Sequence, residues 1–178
     1  MTDPSTEHNT KSIGKSMAII AWIVGMVLLT QLFGLWEKNQ INPNRDPVSS
    51  THATGTTTVS LKRNRYGHYL TAGAINNTHT TFLLDTGATQ VVVPESLAES
   101  LKLPRQGYTT VQTANGQVQA IQTTIATLSI GDIRLYNVRA IINPAMNKND
   151  ETLLGMSVLK QLDFHQEGQY LTLTQQSR

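Results

Sequence analysis

The chain of 178 residues contains no cysteine, which removes thiol nucleophiles, CxxC metal or redox sites and disulfide staples together. A cysteine-free chain fits reducing and oxidising compartments alike, so the absence assigns no compartment. Charge is scarce as well: Asp, Glu, Lys and Arg make up 15% of the residues and the net charge is +2. Aromatic residues are 6%, and no stripe of Lys and Arg interleaves with them, so nucleic-acid binding is not expected. His52, His68, His79 and His165 lack ligand spacing such as H-E-x-x-H, and no metal or other cofactor is expected. Gly155-Met156-Ser157-Val158-Leu159 ends in Leu159 where a G-x-S-x-G nucleophile elbow requires glycine, and no Asp-then-His order after it fits an α/β-hydrolase, so a serine hydrolase is not expected.

One long apolar run is present. Ser16 to Trp36 has 21 residues and no charge, enough at about 1.5 Å per residue to cross a hydrocarbon layer of about 30 Å. Trp36 closes the run where an indole favours the membrane interface. A cleavable signal peptide has a shorter apolar core followed by a small-x-small site, and Phe33-Gly34-Leu35-Trp36 offers none. An uncleaved anchor is therefore expected over 16–36. Lys11 and Lys15 precede it, and Lys38 and Arg45 follow. The closer spacing of the first pair, with Glu37 beside Lys38, favours a cytoplasmic N-terminus and an exported C-terminal domain. Gly14/Ala18 and Ala21/Gly25 have the small-xxx-small spacing that lets two helices approach.

The anchor divides the chain. Residues 1–15 form a polar tail, and 37–56, with two prolines and many Ser, Thr and Asn, reads as a solvated, extended tether. Residues 57–178 change character, with short apolar alternations punctuated by Gly and Asn, the mark of one small, mostly β domain. Strands are expected around Val59 and Leu61, over Tyr69–Ile75 with a turn at Asn76-Asn77, over Thr80–Asp85, and at Val91–Val93 before Pro94. Further strands are expected at Tyr108–Thr113 and Gln117–Ile125 across the Asn115-Gly116 hairpin turn, at Ala126–Ile130 and Ile133–Ile142 across Gly131-Asp132, and at Tyr170–Thr174. Short helices are expected over Glu95–Leu101 and Met156–Leu162.

The chemistry sits in Phe82-Leu83-Leu84-Asp85-Thr86-Gly87-Ala88-Thr89. An apolar strand delivers a single acid into small residues that can pack tightly around a carboxylate. The Asp-Thr-Gly triplet by itself is weak, since it arises by chance in a few per cent of chains this long. Its context sharpens it. A β-branched strand comes directly after, then the Asn-Gly hairpin, then a second apolar-apolar-Gly, Leu153-Leu154-Gly155, about 70 residues downstream. Asp132, Asp150 and Asp163 have no such setting and read as surface or turn acids. Read alone, Asp85 is an ordinary acid in a turn.

From about Thr57 to Thr174 the chain resembles the membrane-anchored, retropepsin-like aspartic proteases of bacteria. The resemblance rests on Gly67-His68-Tyr69, Ile75-Asn76, Phe82 to Thr89, Thr113 to Gly116, Ile130-Gly131, Asn137 to Ala140 and Leu153 to Ser157. It implies a mostly β, retropepsin-like acid-protease half-barrel with one or two short helices, preceded by a single transmembrane helix. It further implies a homodimeric endopeptidase acting on protein or peptide substrates, held in the bacterial inner membrane with its protease domain in the periplasm. Asp85 would be the catalytic acid, facing Asp85 of a second chain, because this hydrolysis needs two carboxylates that share a proton. Thr86 would bond its counterpart's backbone across the two-fold axis, while Gly87 and Ala88 would let backbone N–H groups approach the carboxylates. Leu153, Leu154 and Gly155 would pack behind the triplet. Thr113, Ala114, Asn115 and Gly116 would tip a flap that closes over an extended peptide.

Two positions depart from the retroviral pattern. Met156 stands where those relatives carry Arg after the second glycine, so any ion pair made by that Arg is absent. The flap tip also lacks a run of glycines. The competing reading is a catalytically silent module of the same fold that only binds peptides.

Overall fold

A computed structural model of the chain describes residues 5–53, 55–113, 116–146 and 151–176, with side chains described from residue 14 onward. The chain divides into two compact units, 1–40 and 41–178.

The first unit is the helix α1, Ser5–Ile41, which runs beyond the apolar stretch at both ends. Its segment Gly14–Ile41 is long and apolar enough to cross a membrane, and none of that apolar window is buried against protein. The tail expected over 1–15 is thus helical from Ser5, while Met1 to Pro4 lie outside the described residues. Nothing in Thr6–Lys15 breaks a helix except Gly14, and continuation from an already nucleated helix is easy.

The second unit is built from β1 (Val48–Thr51), β2 (Thr57–Lys62), β3 (Leu70–Ile75), β4 (Thr78–Leu84), β5 (Val91–Pro94), α2 (Glu95–Ala98), β6 (Tyr108–Thr113), β7 (Gly116–Ile130) and β8 (Ile133–Asn143). A 3-10 turn at Pro144–Met146, then β9 (Glu151–Leu154), α3 (Met156–Leu159), β10 (Asp163–Glu167) and β11 (Tyr170–Gln175) complete it. One sheet has the order β3-β4-β9-β5-β8-β7-β6, and an extra pairing of β3 with β7 closes its first six strands on themselves. The second sheet, β1-β2-β11-β10, packs the inner faces of β2 and β11 onto this barrel. Val59, Leu61, Leu171 and Leu173 enter one core with Phe82, Ile125, Ile142 and Leu154.

Local chemistry explains the turns. Asn76 and Asn77 take φ of 48° and 65° between β3 and β4, the left-handed pair that a two-residue hairpin requires. Gly73 sits where β3 meets β7; a Cβ there would overlap the Ser129 carbonyl and the Phe82 ring. Closure of the barrel therefore depends on its missing side chain.

Several elements differ from the sequence expectation. The two strands expected on either side of Ala126 are one 15-residue strand, β7. It is long because its first third pairs with β6 and the rest with β8. The two helices are single turns, too short to be read from periodicity. β10 was not expected: all five of its residues are exposed, so it has no apolar alternation and exists only through its ladder with β11.

The segment 37–56, expected as a solvated tether, is also ordered differently. Glu37 to Ile41 are helical, and β1 pairs with β2. Asn44 is only 5% exposed. Its amide nitrogen donates to the carbonyls of Lys62 and Leu70, and its oxygen accepts from Lys62 N–H at 2.6 Å. Its own carbonyl accepts from Ala72 N–H at 2.9 Å. One asparagine thereby satisfies the backbone of both sheets where β2 and β3 part, a role that polar composition alone does not reveal.

Candidate active site

The topology sets the position of Asp85. β4 and β5 are consecutive in sequence but not neighbours in the sheet; β9 inserts between them, parallel to β4 and antiparallel to β5. The loop from Asp85 to Gln90 must therefore arch over the end of β9. Asp85 N–H donates to the Leu154 carbonyl at 3.2 Å, and Met156 N–H donates to the Ala88 carbonyl at 2.8 Å. Gly155 lies directly beneath the arch, and a Cβ there would overlap the carbonyls of Gln90 and Ala88. Its φ is −87°, an ordinary value, so space rather than backbone freedom demands glycine.

The carboxylate is oriented from within the loop. Gly87 N–H donates to Asp85 Oδ1 at 2.9 Å, and Ala88 N–H donates to the Asp85 carbonyl at 3.3 Å. Both are turn bonds that an Asp followed by small residues makes readily. Asp85 is half-buried, whereas Thr86 and Gly87 stand exposed at the surface of the single chain.

Asp85 opens onto a cavity of about 520 Å³. Leu153, Val92 and Ile141 lie side by side across β9, β5 and β8 to form an aliphatic floor. Val111 and Val118, paired directly across the β6–β7 hairpin, line it from the other side. Ala145 and Met146 of the 3-10 turn and Ala88 of the arch complete the apolar lining, and Gln90, Gln112 and Asn143 supply neutral amides. Asp85 is the one ionisable group among the described residues that line the cavity. Among the described residues no cluster of His, Cys, Asp or Glu could hold a metal ion.

The structure brings most of the sequence-derived candidates together. Asp85, Gly87, Ala88 and Thr113 all line this cavity, and Leu154 and Gly155 underlie the arch. Thr86 faces outward and makes no hydrogen bond with a described residue through its hydroxyl. At the hairpin end Thr113 Oγ1 donates to the Gly116 carbonyl at 2.8 Å, and Gly116 has φ of 105°; Ala114 and Asn115 lie outside the described residues. Sequence reasoning missed the floor. Val92 and Leu153 belong to apolar runs whose facing cannot be assigned without the register, so Leu153, expected behind the triplet, lines the cavity instead, and Asn143 has no local signal at all.

Ser157 has a purely structural setting. Its hydroxyl accepts from Val91 N–H at 3.1 Å and donates to the Arg139 carbonyl at 3.0 Å, tying α3 to β5 and β8. Met156, in place of an arginine, packs against the core.

A closed β barrel with one strand-end Asp-Thr-Gly arch, a hairpin over the adjoining cavity and a glycine packed beneath the arch defines a retropepsin-like fold. A family model described as "gag-polyprotein putative aspartyl protease" matches residues 71–161, half of the chain, and the chain belongs to this family. A protein of Sinorhizobium sp described as an uncharacterized protein in the cobV 5'region is 34% identical over 119 residues, 65% of this chain and 51% of that protein. The chain thus spans about half the length of this curated relative. Among solved structures, a retropepsin-like aspartic protease from Rickettsia conorii matches with a TM-score of 0.59 at 27% identity, over 73% of this chain and 96% of that one. The EIAV protease complexed with the inhibitor HBY-793 matches with a TM-score of 0.46 at 24% identity, over 56% and 92%.

Proposed function

We propose that this protein is an aspartic endopeptidase, tethered by α1 to the bacterial inner membrane with its N-terminus cytoplasmic and its protease domain periplasmic, and active as a homodimer. The observation that carries this reading is the single Asp85, held by Gly87 N–H at the mouth of a hairpin-covered aliphatic cavity, with Thr86 and Gly87 uncovered beside it. One carboxylate is half of the machinery that general acid–base attack of water on an amide requires. A second copy docked over the uncovered Thr86-Gly87 face supplies the other half.

In the dimer the two Asp85 carboxylates, about 3 Å apart, share one proton because both cannot ionise at that distance. The unprotonated member takes a proton from water as the water oxygen attacks the peptide carbonyl carbon. The protonated member gives its proton to the carbonyl oxygen, forming a neutral tetrahedral diol. Collapse of the diol breaks the C–N bond as the carboxyl that took the water proton gives it to the amine nitrogen. The other carboxylate takes a proton from a diol hydroxyl, which restores the singly protonated pair. Thr86 of each chain bonds the partner's loop, and Gly87 and Ala88 keep the approach to the carboxylates free of side chains. The β6–β7 hairpin closes on the extended substrate and excludes water.

Mixing tests the shared centre. Adding increasing amounts of Asp85→Asn chain to a fixed amount of wild type, in detergent that permits exchange, is expected to suppress peptide cleavage through mixed pairs. Activity unaffected by an excess of the variant would refute the dyad. Cleavage is expected to be fastest from acid to near-neutral pH, and a rate still climbing above about pH 9 contradicts a pair that must hold one proton. Retained peptide binding with no cleavage from pH 3 to 8 would instead support a silent binding module.

A further inference from the structure

Besides Asp85 and the two threonines, Thr89 and Thr113, the polar residues lining the cavity are amides, and one of these differs in kind. Gln90 and Gln112 are long, flexible and partly or fully exposed, whereas Asn143 is 5% exposed and sits on a strand. Along β8 the alternation sends Ile141 to the cavity, Ile142 to the core and Asn143 to the cavity again. Asn143 Oδ1 accepts from Ala145 N–H at 3.0 Å, which fixes the side chain. Its amide nitrogen has no partner among the described residues, yet carries two donors.

A buried amide with unused donors is costly unless water or a ligand pairs with it. In the open cavity water does so; when an apolar substrate expels that water, the donors are stranded. A substrate side chain with a neutral acceptor replaces the water without loss. Among the described residues no Lys or Arg lines the cavity, so a carboxylate placed there would be a buried charge without a counter-ion from them. We propose that Asn143 is a specificity-determining residue that selects substrates with an uncharged hydrogen-bond acceptor, a Gln- or Asn-type side chain, in the subsite it lines.

The sheet order also indicates where along the substrate this selection acts. Asp85 follows β4 and Asn143 ends β8, with β9 and β5 between them. Three inter-strand steps of about 4.8 Å make an arc of about 14 Å around the barrel, which is an upper limit on the straight separation, and an extended peptide advances about 3.4 Å per residue. Asn143 therefore reads a side chain several residues from the scissile bond, and a symmetric dimer reads one on each side.

This inference rests on the reading of the cavity as a peptide cleft, and the test separates the two. Full-length wild type, Asn143→Leu and Asn143→Asp in detergent are offered peptide libraries varied at each position, and binding of the same Gln- and Met-containing peptides is measured on Asp85→Asn chains with and without the Asn143 changes. Wild type is expected to favour Gln over the near-isosteric Met by about 10-fold in kcat/KM at one position several residues from the cleaved bond. Asn143→Leu reverses that preference. Asn143→Asp keeps the acceptor for Ala145 N–H, so the turn survives, but loses the donors and shifts the preference towards Lys. The binding measurement is expected to give the same order without cleavage. Cleavage or binding by wild type that treats Gln and Met alike, or a Gln preference unchanged in Asn143→Leu and Asn143→Asp, overturns the assignment and leaves the protease reading standing. Binding selectivity that follows Asn143 with no cleavage by any chain retains the assignment and overturns the protease reading. No peptide bound or cleaved overturns both.

Discussion

The Asp85 arch and the β6–β7 hairpin line the same cavity, but they are held in opposite ways. The arch is fixed from beneath: two backbone bonds couple it to the β9–α3 corner, Gly155 leaves no gap below it, and Ser157 ties that corner to β5 and β8. The described residues of the hairpin, 109–113 and 116–120, have strand partners only within it, with half-buried Val111, Thr113 and Val118 on one face and exposed Thr110, Gln112, Gln117 and Gln119 on the other. β6 is the edge of its sheet. Under the proposed function, a carboxylate that meets its partner at a set distance needs the first kind of support, whereas a cover that admits and releases a peptide needs the second.

Substitutions can break this contrast, and the largest effect is expected at the carboxylate. Asp85→Asn preserves the acceptor for Gly87 N–H, so the melting temperature should stay close to wild type while peptide cleavage falls about a thousandfold or more. Cleavage that persists at a tenth of wild type or above would sink the assignment of the acid.

Next comes the support under the arch. Gly155→Ala is expected to cost about 2–3 kcal/mol, because the added methyl meets two backbone carbonyls that cannot turn aside. Urea unfolding of the variant with an unchanged midpoint would mean that the arch is less tightly packed than described. Ser157→Ala should cost less, about 1–2 kcal/mol, by leaving Val91 N–H and the Arg139 carbonyl without their side-chain partner. Per folded molecule it should cleave as fast as wild type; loss of cleavage with the fold intact would overturn the purely structural role of Ser157.

The smallest stability effect is expected on the hairpin. Val111→Ser removes a half-buried side chain from a self-paired ribbon and should cost below about 1 kcal/mol. Its signature is kinetic instead, a KM raised several-fold as the cover over the aliphatic floor weakens. A large drop in melting temperature with KM unchanged would show that the hairpin is a load on the fold and not a cover.

The same contrast explains what could be read along the chain. Turns, strand ends and the acid were legible because their causes are local: Asn76-Asn77 adopts its turn through its own backbone preference, and Asp85 through the small residues that follow it. β10 was not legible, since none of its residues is buried and its partner β11 alone holds it. Asn44 was hidden for the same kind of reason: in a polar stretch it looks like a solvated residue, and only the parting of β2 and β3 turns it into a buried hub. α2 and α3 are single turns fixed by packing, below the length at which periodicity carries information.

By itself, then, the amino-acid order determined an apolar N-terminal helix, a mostly β domain and one acid presented at a strand end among small residues, because each follows from propensity and pattern within a few neighbours. Tertiary structure decided the rest. The insertion of β9 between β4 and β5 brought Leu153, Val92 and Ile141 into one floor, required Gly155 beneath the arch and faced Asn143 into the cavity. Those residues are remote in sequence, and only the register of paired strands determines which face each side chain occupies.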